Sequence, residues 1–587
     1  MQDEQRRLAE ELLSEKTTKP SFAKDLYFGL ISDKHIFPFP QINLTQKKLE
    51  DEFLKKVKKF VDTKIDPVWI DKNEKIPSHV IKGLGKMGVL GITIPKKYGG
   101  LGMSQYAYCK AAEIISMKCS STGLFLNAHQ SIGLKALLLF GTEKQKKKWL
   151  IPLAKGELIA AFSLTEPNAG SDAAGVETFA KFIPQKNIYR INGKKQWTTN
   201  GSIAGVLTLM AKTDVETKNG IEKKITAFIV TPDMKGFKIT KPTLEKLGMR
   251  GTMTTNLEFK NMEVPAENIL GEKGNGLKIA LSVLNYGRTT FGAMCTGSSK
   301  ILTELAIKHA IERKQFNRSL GTFTMVKKKI ASMSALTYAT DATTYLTAGL
   351  IDNGLKDVML ESAILKVFTS DSEWQILYDS MQILGGRSFF TDRPFERMMR
   401  DARLNMIGEG SNEVMRVFIG AVGLREIGLE IINSAKVFIN PFKNGKQAIS
   451  FLSKFLKRFL PKTNPVKSNL FYNEYKKLLK ATSSFGFNIL GLLARYGEGI
   501  AEKQLLLDRI ATCAIALYSM SAVISKIDYE IKLGEKEIPD LKNNIQSAKL
   551  YCNYAINQVY ENLNALKFNN DKLVEKTSDS ITGLKKV

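Results

Sequence analysis

Residues 400–416 set one acidic side chain, Glu409, between two glycines, Gly408 and Gly410. Glycine tolerates backbone angles that other residues avoid, so the pattern predicts a tight connection that presents a carboxylate. Ser411 then offers a helix N-cap, and Val414, Val417 and Phe418 recur at helical spacing. A loop carboxylate ahead of a helix suits a general base. The same pattern also describes a solvated turn before a helix, and both readings stand on this stretch alone. Metal chemistry has little to work with. The five cysteines are scattered without a CxxC pair and the four histidines lie far apart, which speaks against a zinc or His-built centre and for a reducing compartment.

The elements that must position Glu409 follow from length and periodicity. A chain of 587 residues predicts several domains. Residues 1–45 read as an irregular N-terminal arm. Residues 46–160 read as a helical domain, with helical spacing at Leu49, Phe53, Val57, Phe60 and Val61, and further helices near 78–87, 104–117, 121–139 and 145–153. Gly83, Gly85 and Gly88 match GxGxxG in form. They sit in a helical stretch with no strand before them, so the dinucleotide reading is rejected. Residues 161–272 change period: six short β-prone runs, punctuated by Gly, Asn and Pro, predict a small β-barrel or sandwich. Asn192-Gly193 reads there as a hairpin turn. Residues 273–425 return to long helices (277–309, 323–353, 356–384 and 412–421) and predict a four-helix bundle. The fold class is therefore mainly α with a central β domain.

Two segments follow. In the linker 426–465, Ile449, Leu452, Phe455, Leu456 and Phe459 fall on one helical face while Lys446, Lys454, Lys457 and Arg458 fall mostly elsewhere. Such a basic amphipathic helix over 445–460 suits a membrane surface, or docking on the protein's own core. Residues 466–587 predict a further helical domain, with an apolar stripe at Leu506, Ile510, Cys513 and Leu517, and a polar tail after about Asn570. The formal charge of +28 points to polyanionic neighbours, namely nucleic acid, an anionic membrane or a phosphorylated ligand. No nucleic-acid motif accompanies it. The charged N-terminus predicts no secretory signal. The longest apolar runs, around Leu124 and 137–140, fall short of a membrane span.

Five runs in one order resemble the acyl-CoA dehydrogenase family: 161–172 (AFSLTEPNAGSD), 193–201 (GKKQWTTNG), 312–316 (ERKQF), 382–386 (QILGG) and the segment at Glu409. The match spans 50–425. The run 128–133 (AHQSIG) and the C-terminal extension resemble its very-long-chain branch, which includes a relative that assists respiratory complex assembly.

The resemblance implies FAD and the oxidation of a fatty acyl-CoA to the trans-2-enoyl-CoA. Glu409 would remove the α-proton while the β-hydrogen leaves as hydride to flavin N5, and the Glu409 N–H would help hold the thioester oxygen. Phe162, Leu164, Thr165, Gly170 and Ser171 would line the flavin, and Trp197, Thr198 and Thr199 would pack on it. Arg313, Phe316, Gln382, Gly385 and Gly386 would reach the cofactor of a neighbouring subunit, which implies a homodimer, and Ser411 and Glu413 would touch its dinucleotide part. For substrate, the resemblance implies Ser171, Asn285, Arg288, Glu409 and Gly410, with Leu124 and Ala128 at the floor of an apolar acyl pocket.

Some family branches place the base immediately before the arginine; here that position is Gly287, so Glu409 has no rival. Departures from the family are Gly408 in place of an aromatic, Ser411 in place of Thr, and Glu413. They keep a second reading open, a weakly active or non-catalytic membrane scaffold or assembly factor. The first reading implies electron-transfer flavoprotein as acceptor and no nucleic acid. It implies a cytoplasmic place on the inner face of a bacterial membrane, or the mitochondrial matrix and inner membrane in a eukaryote.

Overall fold

The computed structural model describes residues 21–42, 44–218, 220–355, 357–439, 453 and 464–584. The 445–460 amphipathic stretch lies outside the described residues but for Ser453. The chain forms two compact units. The first takes Gln41–Met333 and Thr347–Ser411; the second takes 21–40, Ser334–Leu346 and 412–584.

In the first unit, helices Leu44–Lys64, Pro67–Asn73, Ser78–Lys86 and Gln105–Lys118 build one apolar core around Val57, Val80, Leu84, Leu90, Tyr108 and Ile115. Gly83 and Gly85 lie inside the third of these, and a Cβ on Gly85 would meet the Lys155 carbonyl at 2.7 Å. Close helix packing is thus what that glycine serves. Thr142 caps helix Glu143–Lys155 through a capping box: Gln145 N–H donates to Thr142 Oγ1 at 3.2 Å and Thr142 N–H to Gln145 Oε1 at 2.9 Å.

The helix expected over 121–139 is not uniform. Ser120–Leu126 and Lys135–Phe140 are α, but Asn127–Leu134 is π-helical. A π-turn inserts a residue and re-aims the side chains beyond it. The apolar pattern that predicts the helix carries no mark of this change.

The β domain is one eight-stranded sheet, β1 (Ala160–Ser163), β2 (Phe179–Ile183), β3 (Ile188–Thr198), β4 (Val206–Thr217), β5 (Gly220–Val230), β6 (Phe237–Lys241), β7 (Thr255–Pro265) and β8 (Ile269–Leu270), in the order β6-β7-β3-β2-β4-β5-β8 with β1 beside β4. A single parallel pair, Phe179 with Lys212, joins β2 to β4. The halves on either side share one core: Tyr189 and Ile191 of β3 and Leu257 and Phe259 of β7 pack with Leu207, Leu209 and Phe228 of β4 and β5. That is a sandwich folded from a continuous sheet. β4 is apolar on both faces because Val206 and Met210 face the helices Leu277–Val283 while Leu207 and Leu209 face the sandwich core.

Asn192-Gly193 is not a hairpin turn. Both residues lie within β3, at a register shift against β7, and the Asn192 side chain bonds Asn261. A Cβ on Gly193 would sit 2.3 Å from Thr178 Oγ1, so glycine here serves a bulge and a close crossing.

Helices Gly276–Glu312, Thr324–Asp352 and Met359–Leu384 follow, and then a helix absent from the sequence reading, Phe395–Asn405. Only Phe395, Met398 and Ala402 of its apolar residues are buried, too sparse a stripe to stand out among three arginines.

The second unit is helical. Its helix Gln504–Leu533 is long and apolar enough to cross a membrane, more so than the runs at Leu124 and 137–140, but 94% of its most apolar window is buried as a core helix. Leu506, Ile510, Cys513 and Leu517 all lie in that core. Two expectations need correction. The arm is not irregular throughout: Phe22–Tyr27 is helical, capped by Ser21, with Tyr27 donating to the Ile419 carbonyl at 2.8 Å. The tail after Asn570 is the exposed helix Asp571–Thr582, anchored by Arg509 Nη1 to Asp571 Oδ2 at 2.7 Å.

Candidate active site

Helix Phe395–Asn405 ends in a tight turn in which Ile407 and Gly408 N–H both donate to the Leu404 carbonyl, at 2.9 and 2.8 Å. The chain then places Glu409 at φ +57° and Gly410 at φ +96°. A left-handed conformation is uncommon outside glycine. At Glu409 it turns the carboxylate inward, so the residue is half-buried and not a solvated turn.

Two buried cations fix this turn through its backbone. Arg288 Nε, from helix Gly276–Glu312, donates to the Glu409 carbonyl at 3.3 Å. Lys366 Nζ, from helix Met359–Leu384, donates to the Gly410 carbonyl at 2.7 Å. Burial holds Arg288 down at about 10 and Lys366 at about 8, and the charge of Glu409 opposes both shifts. The carboxylate itself meets a neutral group: Asn127 Nδ2, at the start of the π segment, donates to Glu409 Oε1 at 2.6 Å. Oε2 is buried without a hydrogen-bond partner. It faces Gly287, where a Cβ would lie 2.7 Å from it and 3.0 Å from Ile132. Burial raises the Glu409 carboxyl to about 7, against the pull of Arg288, Lys366 and Asn127. A carboxylate with one oxygen held and one free and desolvated, titrating near neutrality, can accept a proton from a weak carbon acid.

Glu409, Gly410, Arg288 and Gly287 thus come together, as the family resemblance implies. Asn285 lies one turn before Arg288 and accepts from Ser362 Oγ at 3.3 Å. Ala128 is buried beside Asn127, and half-buried Leu124 packs with Leu404 against Met249, Phe291 and Met294. Asn127 and Lys366 join the site from outside the motifs that point to it. Lys366 had a signal, a lone charge inside the apolar run 363–368. Asn127 had none.

A second group of predicted residues belongs to the β domain. Trp197 is 62% exposed at φ +57°, while its neighbour Thr198 is buried with Oγ1 3.1 Å from Ser163 Oγ. Phe162 and Leu164 pack against the helix-facing core, and the Thr165 carbonyl accepts from Gln196 N–H at 2.9 Å. Thr199 is half-buried, and Gly170 and Ser171 are exposed. This loop is pinned from beneath by a pair 29 residues apart in the chain: Lys195 Nζ contacts Glu166 Oε1 at 2.6 Å and the Leu164 carbonyl at 2.7 Å, and Glu166 also accepts Thr178 N–H at 3.1 Å.

Arg313, Phe316, Gln382, Gly385 and Gly386 are exposed. Arg313 follows Arg288 by 25 residues along one helix, about 37 Å at 1.5 Å per residue. Within one chain these residues do not join the Glu409 group. Ser411 ends the first unit, and Glu413 opens helix Asn412–Ile439 of the second. The open surface fits a large flat cofactor. The Trp197 indole is bare, a Cβ on Gly170, Gly385 or Gly386 would meet nothing within 4 Å, and Phe316 is 88% exposed.

Comparison with known proteins gives a consistent picture. Sequence models match over residues 47–157 (Acyl-CoA dehydrogenase, N-terminal domain), 161–262 (middle domain), 274–424 (C-terminal domain) and 470–585 (ACAD9/ACADV, C-terminal domain). The chain is 33% identical over 557 residues to the very long-chain specific acyl-CoA dehydrogenase, mitochondrial, of Rattus norvegicus, covering 94% of this chain and 84% of that one. It is 33% identical over 606 residues to the probable acyl-CoA dehydrogenase FadE10 of Mycobacterium tuberculosis, covering 99% and 91%. Among solved structures, an acyl-CoA dehydrogenase complexed with FAD from Bacillus anthracis superposes with a TM-score of 0.78 at 27% identity, over 97% of this chain and 96% of that chain.

Proposed function

Because this chain belongs to the acyl-CoA dehydrogenase family and is an FAD-dependent oxidoreductase of fatty acid oxidation, we propose that it forms the trans-2 double bond of long- and very-long-chain fatty acyl-CoA, with Glu409 as base. The observation that carries this reading is the half-satisfied carboxylate: Oε1 held by Asn127, Oε2 buried and free above Gly287. FAD, when bound, supplies the two-electron acceptor for the β-hydrogen. Glu409 Oε2 takes the α-proton, and the electron pair left on the α-carbon closes the double bond. Arg288 and Lys366 place positive charge beside the developing enolate while holding the turn that carries the base. Trp197, Thr198, Thr199 and the 162–171 loop hold the flavin, with Ser411 and Glu413 toward its dinucleotide part; Asn285, Gly410, Ser171, Leu124 and Ala128 line the substrate. The acyl length rests on the named relatives and on the small and apolar floor residues.

The wider proposal is a homodimer in which Arg313, Phe316, Gln382, Gly385 and Gly386 reach the partner's cofactor, with electrons passing to an electron-transfer flavoprotein. The division at 45, 160, 272, 425 and 465, membrane contact through 445–460 and a place at the inner membrane face remain proposals from sequence. The test is anaerobic titration with palmitoyl-CoA, following flavin absorbance, in wild type and Glu409→Gln. Bleaching in the wild type only is the expected result, with a loss in rate of about 10³-fold or more in the variant. A wild type that binds FAD and does not bleach would shift the reading to the scaffold that Gly408 and Glu413 leave open.

A further inference from the structure

We propose that Asn127 is a positioning residue that selects the proton-accepting oxygen of Glu409: its amide holds Oε1 and leaves Oε2 as the reactive atom. The inference rests on Glu409 being the base. Asn127 has 0% exposure and its Oδ1 is buried without a partner. A buried amide that forgoes one hydrogen bond is costly, and what it gains is the 2.6 Å contact to Oε1. The amide orientation carries information. With Nδ2 toward Oε1 it complements an ionised carboxylate; turned over, two oxygens would face each other.

The amide is held in place by the π segment around it, which is clamped from three sides. His129 Nδ1 accepts from Ala160 N–H at 2.9 Å, and its Nε2 lies 3.2 Å from both the Leu90 and Leu153 carbonyls. Burial keeps this imidazole down at about 4, so it stays neutral. Ser131 Oγ bridges Tyr108 at 2.8 Å and Thr290 at 3.1 Å. Gly133 sits where a Cβ would come 2.8 Å from Ala160. Rigid support of this kind is what fixes a reacting group.

The charged groups facing Glu409 do not duplicate the task. Arg288 and Lys366 donate to the backbone carbonyls of Glu409 and Gly410, and His129, the titratable residue of the π segment, is turned to Leu90 and Leu153. A neutral donor suits the position, since a cation there would hold Glu409 ionised and weaken it as a base.

The test uses full-length holoenzyme with Asn127→Ala and Asn127→Asp, each checked for FAD content. The pH profile of kcat is measured together with the infrared carboxyl band, assigned by its loss in Glu409→Gln. In Asn127→Ala the acid limb and the band midpoint should both rise by about one pH unit, because a hydrogen bond to the charged form is lost. The nearly isosteric Asn127→Asp should raise them further, since two carboxylates at this distance share a proton. KM should change little. An acid limb and band midpoint unmoved in both variants would overturn the proposal. The base assignment fails separately, if Glu409→Gln itself keeps turnover.

Discussion

Glu166 is a buried glutamate and Glu409 a half-buried one of the same unit, and their surroundings shift them in opposite directions. Glu166 meets the charge of Lys195 at 2.6 Å and the backbone N–H groups of Glu177 and Thr178 at 2.5 and 3.1 Å. Burial alone would raise its pKa; Lys195 and these donors outweigh it and hold it below the ordinary value. At Glu409 the cations are spent on backbone carbonyls, the carboxylate has one neutral donor, and burial raises it to about 7. A buried carboxylate facing a cation is an anchor. One whose cations face elsewhere keeps a raised pKa and suits the base proposed here, and the direction in which nearby Lys and Arg side chains point decides between the two.

The sharpest way to break this contrast is at Lys195, whose side chain is wholly buried. Removing one partner of a buried pair strands the other charge and costs about 3–5 kcal/mol. Lys195→Met should lower the urea midpoint accordingly, and FAD content should fall with it because the 164–178 loop loses its pin. An unchanged midpoint would make Glu166 no anchor. The two glutamates should also differ in the sign of their pH dependence. Glu409 has a folded pKa raised from 4.5 to about 7, so its contribution favours the fold below about 4.5 and is lost as pH rises through 7, a change of up to about 3 kcal/mol at 1.36 kcal/mol per unit. Relative to Glu409→Gln, wild type should therefore lose stability between those pH values. Glu166, shifted down, contributes stability above 4.5 that is lost as pH falls through its folded value. Relative to Glu166→Gln, wild type should gain with rising pH. Urea midpoints across pH measure both; parallel curves for the two variants would erase the distinction.

What the sequence made legible follows from what is local. The glycines flanking Glu409, the β-prone runs that become β4 and β7 and the apolar stripe at Leu506 to Leu517 are each written within a dozen residues. Asn127 and Glu409 are 282 positions apart, and Lys195 reads as one more strand lysine until Glu166 is placed beneath it. The π segment is hidden for another reason: a π-turn and an α-turn share the same apolar composition. Asn192-Gly193 shows the reverse fault, a strong local turn signal overridden because Thr178 crosses where a side chain would stand. Arg313 and Phe316, by contrast, are plain in sequence and open in the structure, and it is the proposed second copy of the chain that would give them work.

The smallest expected effect is at Gly287, and it separates stability from chemistry. Glycine inside a helix costs roughly 0.8–1 kcal/mol against alanine, so Gly287→Ala should leave the unfolding midpoint level or slightly raised. The added methyl would stand 2.7 Å from Glu409 Oε2 and 3.0 Å from Ile132, closer than atoms pack, and something must move. The backbone of the turn is held by Arg288 and Lys366, while the carboxylate is free to rotate about its hydrogen bond to Asn127. Oε2 should therefore swing away, and a misplacement of about 1 Å in a reacting group costs about 10²-fold in kcat. Turnover and urea unfolding of the one variant, measured with bound FAD as the control for the cofactor site, give the two numbers. A stable Gly287→Ala protein with wild-type kcat would mean that Oε2 does not take the proton, and that the free oxygen above Gly287 is a packing accident.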